Sequence, residues 1–554
     1  MPNFFKYKKS HILCAALLLP LAVNAASYND TNTIGDDPFD LGSDLLSFDA
    51  EQDRQKQAME QVKHNYLSVI DLVKKKNYPD AKTKVTELIQ QEPKQSIYYN
   101  LQALLQLVDK DRPAAEQSFV KAVELNPKNT QALTGLAKLA LDSKQWDKAK
   151  QYADKVLAVN PYEVKAYQVL ADVAMNQQGI EAVESLLLDA QNKLKDKPAA
   201  ELAIAQSLAK VYLKQKQPEK LLPLASDLIK RNPNDNAALS FLAEAQLINK
   251  DPVGAEKTLR QIIAQQPNDS KHRFLLARLL GQQADKENEI LSLLDKAAEN
   301  IANPALVLSY KTAILLKQKH FQQALAVAQQ VDETNPTLAI GKILKGDVYL
   351  SEKKLPEALS HYQQAYAITP NIKVLDAILK ILARQNKPKE AIALLEKELT
   401  KKADNTAIQF RLAERYQSSQ QNDLATKHYE AVLIKQKDNV IVLNNLAYLY
   451  QQQNNPKAIE LAKHAYQLAP KSGAIADTYG YILLKQGDKS QGLTILKQAA
   501  ELNPQLVEIQ LHLAEAYIAN QDKEQGKAIL EKIINNKSAK PAELKQAKQG
   551  LLEL

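Results

Sequence analysis

Prolines recur 34 residues apart along this 554-residue chain, and that spacing constrains the fold more than any other feature. Pro93, Pro127 and Pro161 form one ladder, and Pro233 to Pro267, Pro336 to Pro370 and Pro470 to Pro504 repeat the step. A second ladder falls mid-period, from Pro79 to Pro113 and from Pro218 to Pro252. Proline opens or ends a helix, because it lacks an amide donor and clashes with the preceding turn. Two ladders out of phase therefore mark two helices per period. A repeat of this length predicts a stack of small units rather than one globular core. Only 14 glycines and 6% aromatic residues also favour helix over strand.

With the closing proline of a unit as position 32, a small residue recurs at position 8. Ala103, Ala137 and Ala171 hold it, then Ala209, Ala243 and Ala277, and then Gly346, Ala413, Ala447, Gly480 and Ala514 with minor slips. Position 20 is also small: Ala81, Ala115, Ala149, Ala255, Ala324, Ala358 and Ala425. Position 27 carries Ala122, Ala365 and Ala499, and position 24 a large ring at Phe119, Tyr362 and Tyr429. Two helices approach closely only where one side chain at the crossing is small. The larger residues fill the space between crossings.

This pattern resembles the tetratricopeptide repeat. The unit Ala339 to Pro370 shows it best, with Gly346, Tyr349, Ala358, Tyr362, Ala365 and Pro370 in register. The resemblance implies an all-α fold, an α-α superhelical solenoid of about fourteen hairpins between residues 57 and 540. Residues 541–554 then read as a helix capping the last unit. The register slips in three places. Ala171 to Ala209 is 38 residues, the unit with Ala277 closes late at Pro304, and residues 373–406 place Lys380 where alanine is expected.

The N-terminus reads differently. Lys6, Lys8 and Lys9 precede an apolar stretch from Ile12 to Val23, and Val23-Asn24-Ala25 offers small residues for cleavage before Ala26. Residues 1–25 thus have the layout of a secretory signal, and a periplasmic or otherwise exported protein is expected. The alternative is an uncleaved anchor. No later apolar run approaches the roughly 18 residues of a membrane span. The only cysteine, Cys14, lies inside this segment, behind His11-Ile12-Leu13 rather than the small residues of a lipoprotein signal. Residues 26–56 follow as an acidic lead-in, with eight acids between Asp30 and Asp53 interleaved with Phe39, Leu41, Leu45, Leu46 and Phe48. It reads as a flexible segment or as a short docking motif.

The chemistry of catalysis is not visible in the sequence. It contains no H-E-x-x-H, no G-x-S-x-G and no phosphate-binding glycine loop. The histidines after the signal share no helical i, i+3 or i+4 pair, so no metal or other cofactor is expected. The formal charge of +8 falls to +5 without the three leader lysines, and the remaining lysines are dispersed. A basic stripe for nucleic acid is absent. A non-enzymatic protein that binds other proteins or extended peptides is therefore expected.

In tetratricopeptide repeats the first helices line the inner face. The resemblance places Asn444, Asn445, Tyr448, Asp477, Tyr481 and Glu515 there in the C-terminal units. A structural role for Asn444 and Asn445 stands beside a binding one. The stretches Val442 to Leu449, Lys457 to Ala462 and Asp477 to Leu483 are also similar to the C-terminal units of exported bacterial repeat proteins. Those accompany exopolysaccharide biosynthesis and exosortase (PEP-CTERM) surface systems. That likeness implies a scaffold for envelope assembly or for polysaccharide or surface-protein export. The alternative is a periplasmic chaperone-like adaptor for outer-membrane or secreted chains.

Overall fold

A computed structural model describes residues 53–554 apart from 282, 284 and 537, with side chains from residue 60 onward. The signal-like segment and most of the acidic lead-in lie outside the described residues. The first helix begins at Asp53, so residues 53–56 are helical rather than part of a lead-in. Among the described residues there are 29 α-helices, one short 3₁₀ turn at Pro218–Lys220 and no strand. The fold is an all-α solenoid, in which helices pack chiefly on those next to them in the chain. No described helix is long and apolar enough to cross a membrane.

The chain divides into two compact units at His320 and Phe321. The described part of the first holds the helices from Asp53–Lys74 to Ala305–Lys317. The second holds those from Phe321–Thr334 to Pro541–Leu552.

The same local logic builds each hairpin in both units. The first helix commonly opens on an Asx cap: the Asn129 side chain accepts from the Ala132 amide at 3.0 Å, and Asp269 caps the His272 amide at the same distance. Such caps satisfy amides that no turn of the helix can reach. Several second helices carry proline in their first turn, at Pro79, Pro113, Pro252, Pro356 and Pro388. Ala103, Ala115 and Ala122 are fully buried, as are Ala358 and Ala365, which is what close helix crossings require. The rings at position 24 are buried between them, and their hydroxyls find partners. Tyr362 donates to Asp347 at 2.6 Å, and Tyr429 donates to Gln417 at 2.9 Å. Where the sequence lacks a small position 8, Leu379 is buried in its place. The register slip between Ala171 and Ala209 is absorbed within helix Pro198–Lys214, which has 17 residues against 14 in Val164–Gln177, while the turn before it keeps the same length of four residues as the turns before Thr130 and Val164.

The turn between the two helices of a hairpin places one residue in the left-handed region. Seven of these residues are lysines: Lys76, Lys110, Lys144, Lys216, Lys250, Lys319 and Lys353, with φ between 57° and 64°. Left-handed backbone crowds a Cβ, while a cation just past a helix end is favoured by the helix dipole. Lys144→Gly is therefore expected to be near neutral or stabilising by roughly 0.5 kcal/mol. Lys144→Val, β-branched at positive φ, should cost roughly 1–2 kcal/mol. The single Trp146, two residues on, reports this local equilibrium by its fluorescence during denaturation.

Candidate functional site

Four first helices of the second unit carry the residues of interest: Thr406–Ser418, Val440–Gln452, Gly473–Lys485 and Val507–Ala519. Glu414, Tyr448, Tyr481 and Glu515 hold equivalent positions on them, one residue after the small residues Ala413, Ala447, Gly480 and Ala514. The small residue faces the partner helix, so its neighbour is turned by about 100° onto the adjoining face.

The structure draws Tyr448, Asp477, Tyr481 and Glu515 into one cluster and adds three residues that sequence reasoning missed: His512, Glu508 and Lys485. Asp477 is buried and accepts from His512 Nδ1 through both carboxylate oxygens, at 2.9 and 3.0 Å. The Tyr481 ring stacks on the His512 imidazole with centroids 4.1 Å apart. Lys485 Nζ sits 5.0 Å from the centroid of the same tyrosine ring and pairs with Glu515. Tyr448 accepts from Gln452 at 2.9 Å, and its hydroxyl is held above the ordinary tyrosine range by burial first and then by the charge of Glu508. Glu508 is half-buried and raised chiefly by desolvation. Glu414, one repeat before Tyr448, is likewise half-buried and raised by burial.

The two asparagines separate. Asn445 donates to the hydroxyl of Tyr429 at 3.0 Å, so it holds the second helix of the preceding hairpin. Asn444 is buried, and its Oδ1 has no hydrogen-bond partner. It lies one turn before Tyr448 on the same helix.

A spacing in the sequence could have found His512. Asp376 and Arg411 are 35 residues apart, and so are Asp477 and His512. Arg411 closes on Asp376 with two bonds, at 2.5 and 2.7 Å. In both pairs an acid on one first helix meets a base one residue further along on the next.

Burial alone would lower the His512 pKa. The charge and hydrogen bond of Asp477 outweigh it, with Glu508 and Glu515 adding, so the imidazole titrates above its ordinary range. The charged groups facing it are Asp477, Glu508 and Glu515, and Tyr481, itself in contact with Lys485, lies against its ring. A raised histidine pKa gives stability that is fully present below about 6.5 and lost as pH rises through the folded value. Asp477→Asn should lower the His512 titration from its raised position, as read by imidazole NMR. An unchanged titration would mean that the ion pair does not set it.

Family models for the tetratricopeptide repeat match residues 107–173, 212–279 and 483–549, and a second such model matches 410–473. The chain carries tetratricopeptide repeats. Two of these matches, 410–473 and 483–549, contain Glu414, Tyr448, Lys485, Glu508, His512 and Glu515, while Asp477 and Tyr481 lie between them. No curated protein matches the chain in sequence. Among solved structures it is similar to the APC/C hetero-tetramer Cut9-Hcn1, at 13% identity over 88% of this chain and 95% of that one, with a TM-score of 0.35. It is also similar to Naa15/Naa10 bound to HypK-THB, at 14% identity over 90% of this chain and 92% of that one, with a TM-score of 0.32.

Proposed function

We propose that this protein is a non-catalytic scaffold that holds extended segments of other proteins along the first-helix faces of its C-terminal repeats. The observation that carries the reading is the row Glu414, Tyr448, Tyr481 and Glu508. Two half-exposed rings and two carboxylates without an ion pair or hydrogen bond among the described residues stand on successive first helices, Glu414, Tyr448 and Tyr481 in equivalent positions and Glu508 two turns earlier on its helix. Aromatic rings with polar rims and half-satisfied acceptors are what a peptide-holding groove needs. The signal-like layout of residues 1–25 supports an exported protein, so its partners are sought in the cell envelope, with assembly or export of polysaccharide or surface protein as the pathway.

The test is a photo-crosslinking residue placed at Tyr448 in the full-length protein in cells, with a matched one at Val253, an exposed apolar site on a second helix of the other unit. Adducts to a small set of proteins from position 448 and not from 253 are expected. Equal capture from both positions, or none from 448, would overturn the groove as the binding surface. N-terminal sequencing of the same protein tests export, and a chain beginning at Ala26 is expected.

A further inference from the structure

We infer that the groove formed by the C-terminal repeats receives a basic segment, its ammonium or guanidinium groups meeting Glu414 and Glu508 and its aliphatic stems lying on Tyr448 and Tyr481. This rests on the reading of the first-helix face as the peptide-holding surface and names the chemistry that surface selects.

Nearly every buried or half-buried carboxylate of the unit 321–554 has a partner. Asp332 is paired with Lys342 and Lys345, Asp376 with Arg411, and Asp477 with His512. Glu396 and Glu430 each accept a tyrosine hydroxyl, and Glu515 holds Lys485. Among the described residues Glu414 and Glu508 are half-buried without an ion pair or hydrogen bond, in a chain with cations to spare. Removing a carboxylate from water without a partner is unfavourable, and two such groups on one face imply that something else completes them.

Among the described residues no cation of the protein forms an ion pair with either carboxylate, although Arg415 and Arg411 act on Glu414 by charge and His512 and Lys540 on Glu508. Arg411 is closed on Asp376, Lys485 on Glu515, and Lys540, which acts on Glu508 from the start of helix Pro541–Leu552, on Glu543. Arg415 follows Glu414 directly and acts on it by charge, but adjacent residues on a helix point about 100° apart and the two make no ion pair. The charge on His512 is shared first with Asp477.

The two carboxylates stand three repeats apart with Tyr448 and Tyr481 between them. A single amine therefore cannot reach both, and the ligand is a segment with at least two basic residues. Tyrosine faces bind the stems and heads of lysine and arginine through apolar contact and the ring quadrupole. Asn444 Oδ1, buried and without a partner one turn before Tyr448, supplies a further acceptor.

The test uses the full chain and three fluorescent dodecapeptides built on one neutral serine and glycine framework. One carries four arginines, one four glutamates and one four glutamines, and binding is read by anisotropy. The arginine peptide is expected to bind at least about tenfold more tightly than the other two, with an affinity that falls as salt rises. Glu508→Gln and Glu414→Gln should each weaken it by about five- to tenfold while Glu508→Asp retains most of it. Tyr448→Ala should weaken every peptide that binds. If the three peptides bind equally, or the glutamate peptide binds best, and Tyr448→Ala still weakens them, the preference for a basic segment is overturned while the groove stands. If Tyr448→Ala changes nothing, or no peptide binds, both readings fail.

Discussion

Asp332→Ala is expected to destabilise the second unit locally by about 3 kcal/mol, because it strands a buried lysine. Asp332 lies in the last turn of Phe321–Thr334, where the helix dipole disfavours an acid. Two lysines of the next helix, Ile340–Ser351, reverse that. Lys345 Nζ lies 2.6 Å from Oδ2, and Lys342 Nζ lies 2.8 Å from both oxygens. Side-chain exposure is 9% for Asp332 and 11% for Lys345, so neither charge can turn to water, whereas Lys342 at 23% can. Desolvation alone would raise the Asp332 pKa, but the two lysine hydrogen bonds outweigh it and hold the carboxyl below the usual carboxylate range. For a lowered carboxylate pKa, the stabilisation is complete above about pH 4 and is lost as pH falls through the folded value. Hydrogen exchange of amides in Ile340–Ser351 should thus accelerate in Asp332→Ala at neutral pH, and in the wild type only under acid. The double substitution Asp332→Leu with Lys345→Met should recover much of the loss, because an apolar pair of similar size avoids the desolvation. Exchange in Asp332→Ala that matches the wild type would show that the triad contributes nothing.

Gly492→Ala sets two effects against each other, and packing is expected to win. In an isolated helix, alanine is better than glycine by about 1 kcal/mol. Here a Cβ on Gly492 would lie 2.9 Å from the Leu484 amide nitrogen and 3.0 Å from the Gly480 carbonyl oxygen. Neither atom can rotate away, because both belong to the backbone of Gly473–Lys485. A Cβ on Gly480 would meet Leu496 at 2.8 Å, so the two glycines form one close crossing. Gly492→Ala should therefore be net destabilising by about 1 kcal/mol, and Gly492→Leu by about 3 kcal/mol. Since stability in a solenoid is a sum over neighbouring repeats, the damage should stay local. It should separate Tyr481 from His512, because Tyr481 follows Gly480 on the displaced helix. Loss of the His512 titration shift in Gly492→Leu, with exchange in the first unit unchanged, is the expected signature. A variant as stable as the wild type would mean that the helices part without cost at this crossing.

These two sites show where sequence reasoning stops. The small residue at Gly480 is legible from the repeat register, and the twentieth position predicts its partner at the crossing. Gly492 fills that position, as Gly526 does in the following repeat. A small side chain every period, a proline after the second helix and an aromatic ring between crossings are properties of one hairpin. Each can be read within about 34 residues. The ion pairs are different. Asp332 to Lys345 spans 13 residues and Asp477 to His512 spans 35, each across helices of different hairpins.

The sequence by itself determined the helical hairpins, their number and their joints, because proline geometry and helix periodicity act over a few residues. It also marked Tyr448, Asp477, Tyr481 and Glu515 as residues of the first-helix face. Only the tertiary structure decided that Asn445 serves Tyr429 and that Asp477 is spent on His512, while Glu414 and Glu508 have no ion pair or hydrogen bond among the described residues. Partnership depends on which side chain of the next repeat arrives within about 3 Å, and that distance is set by how repeats stack, not by the residues of any one of them.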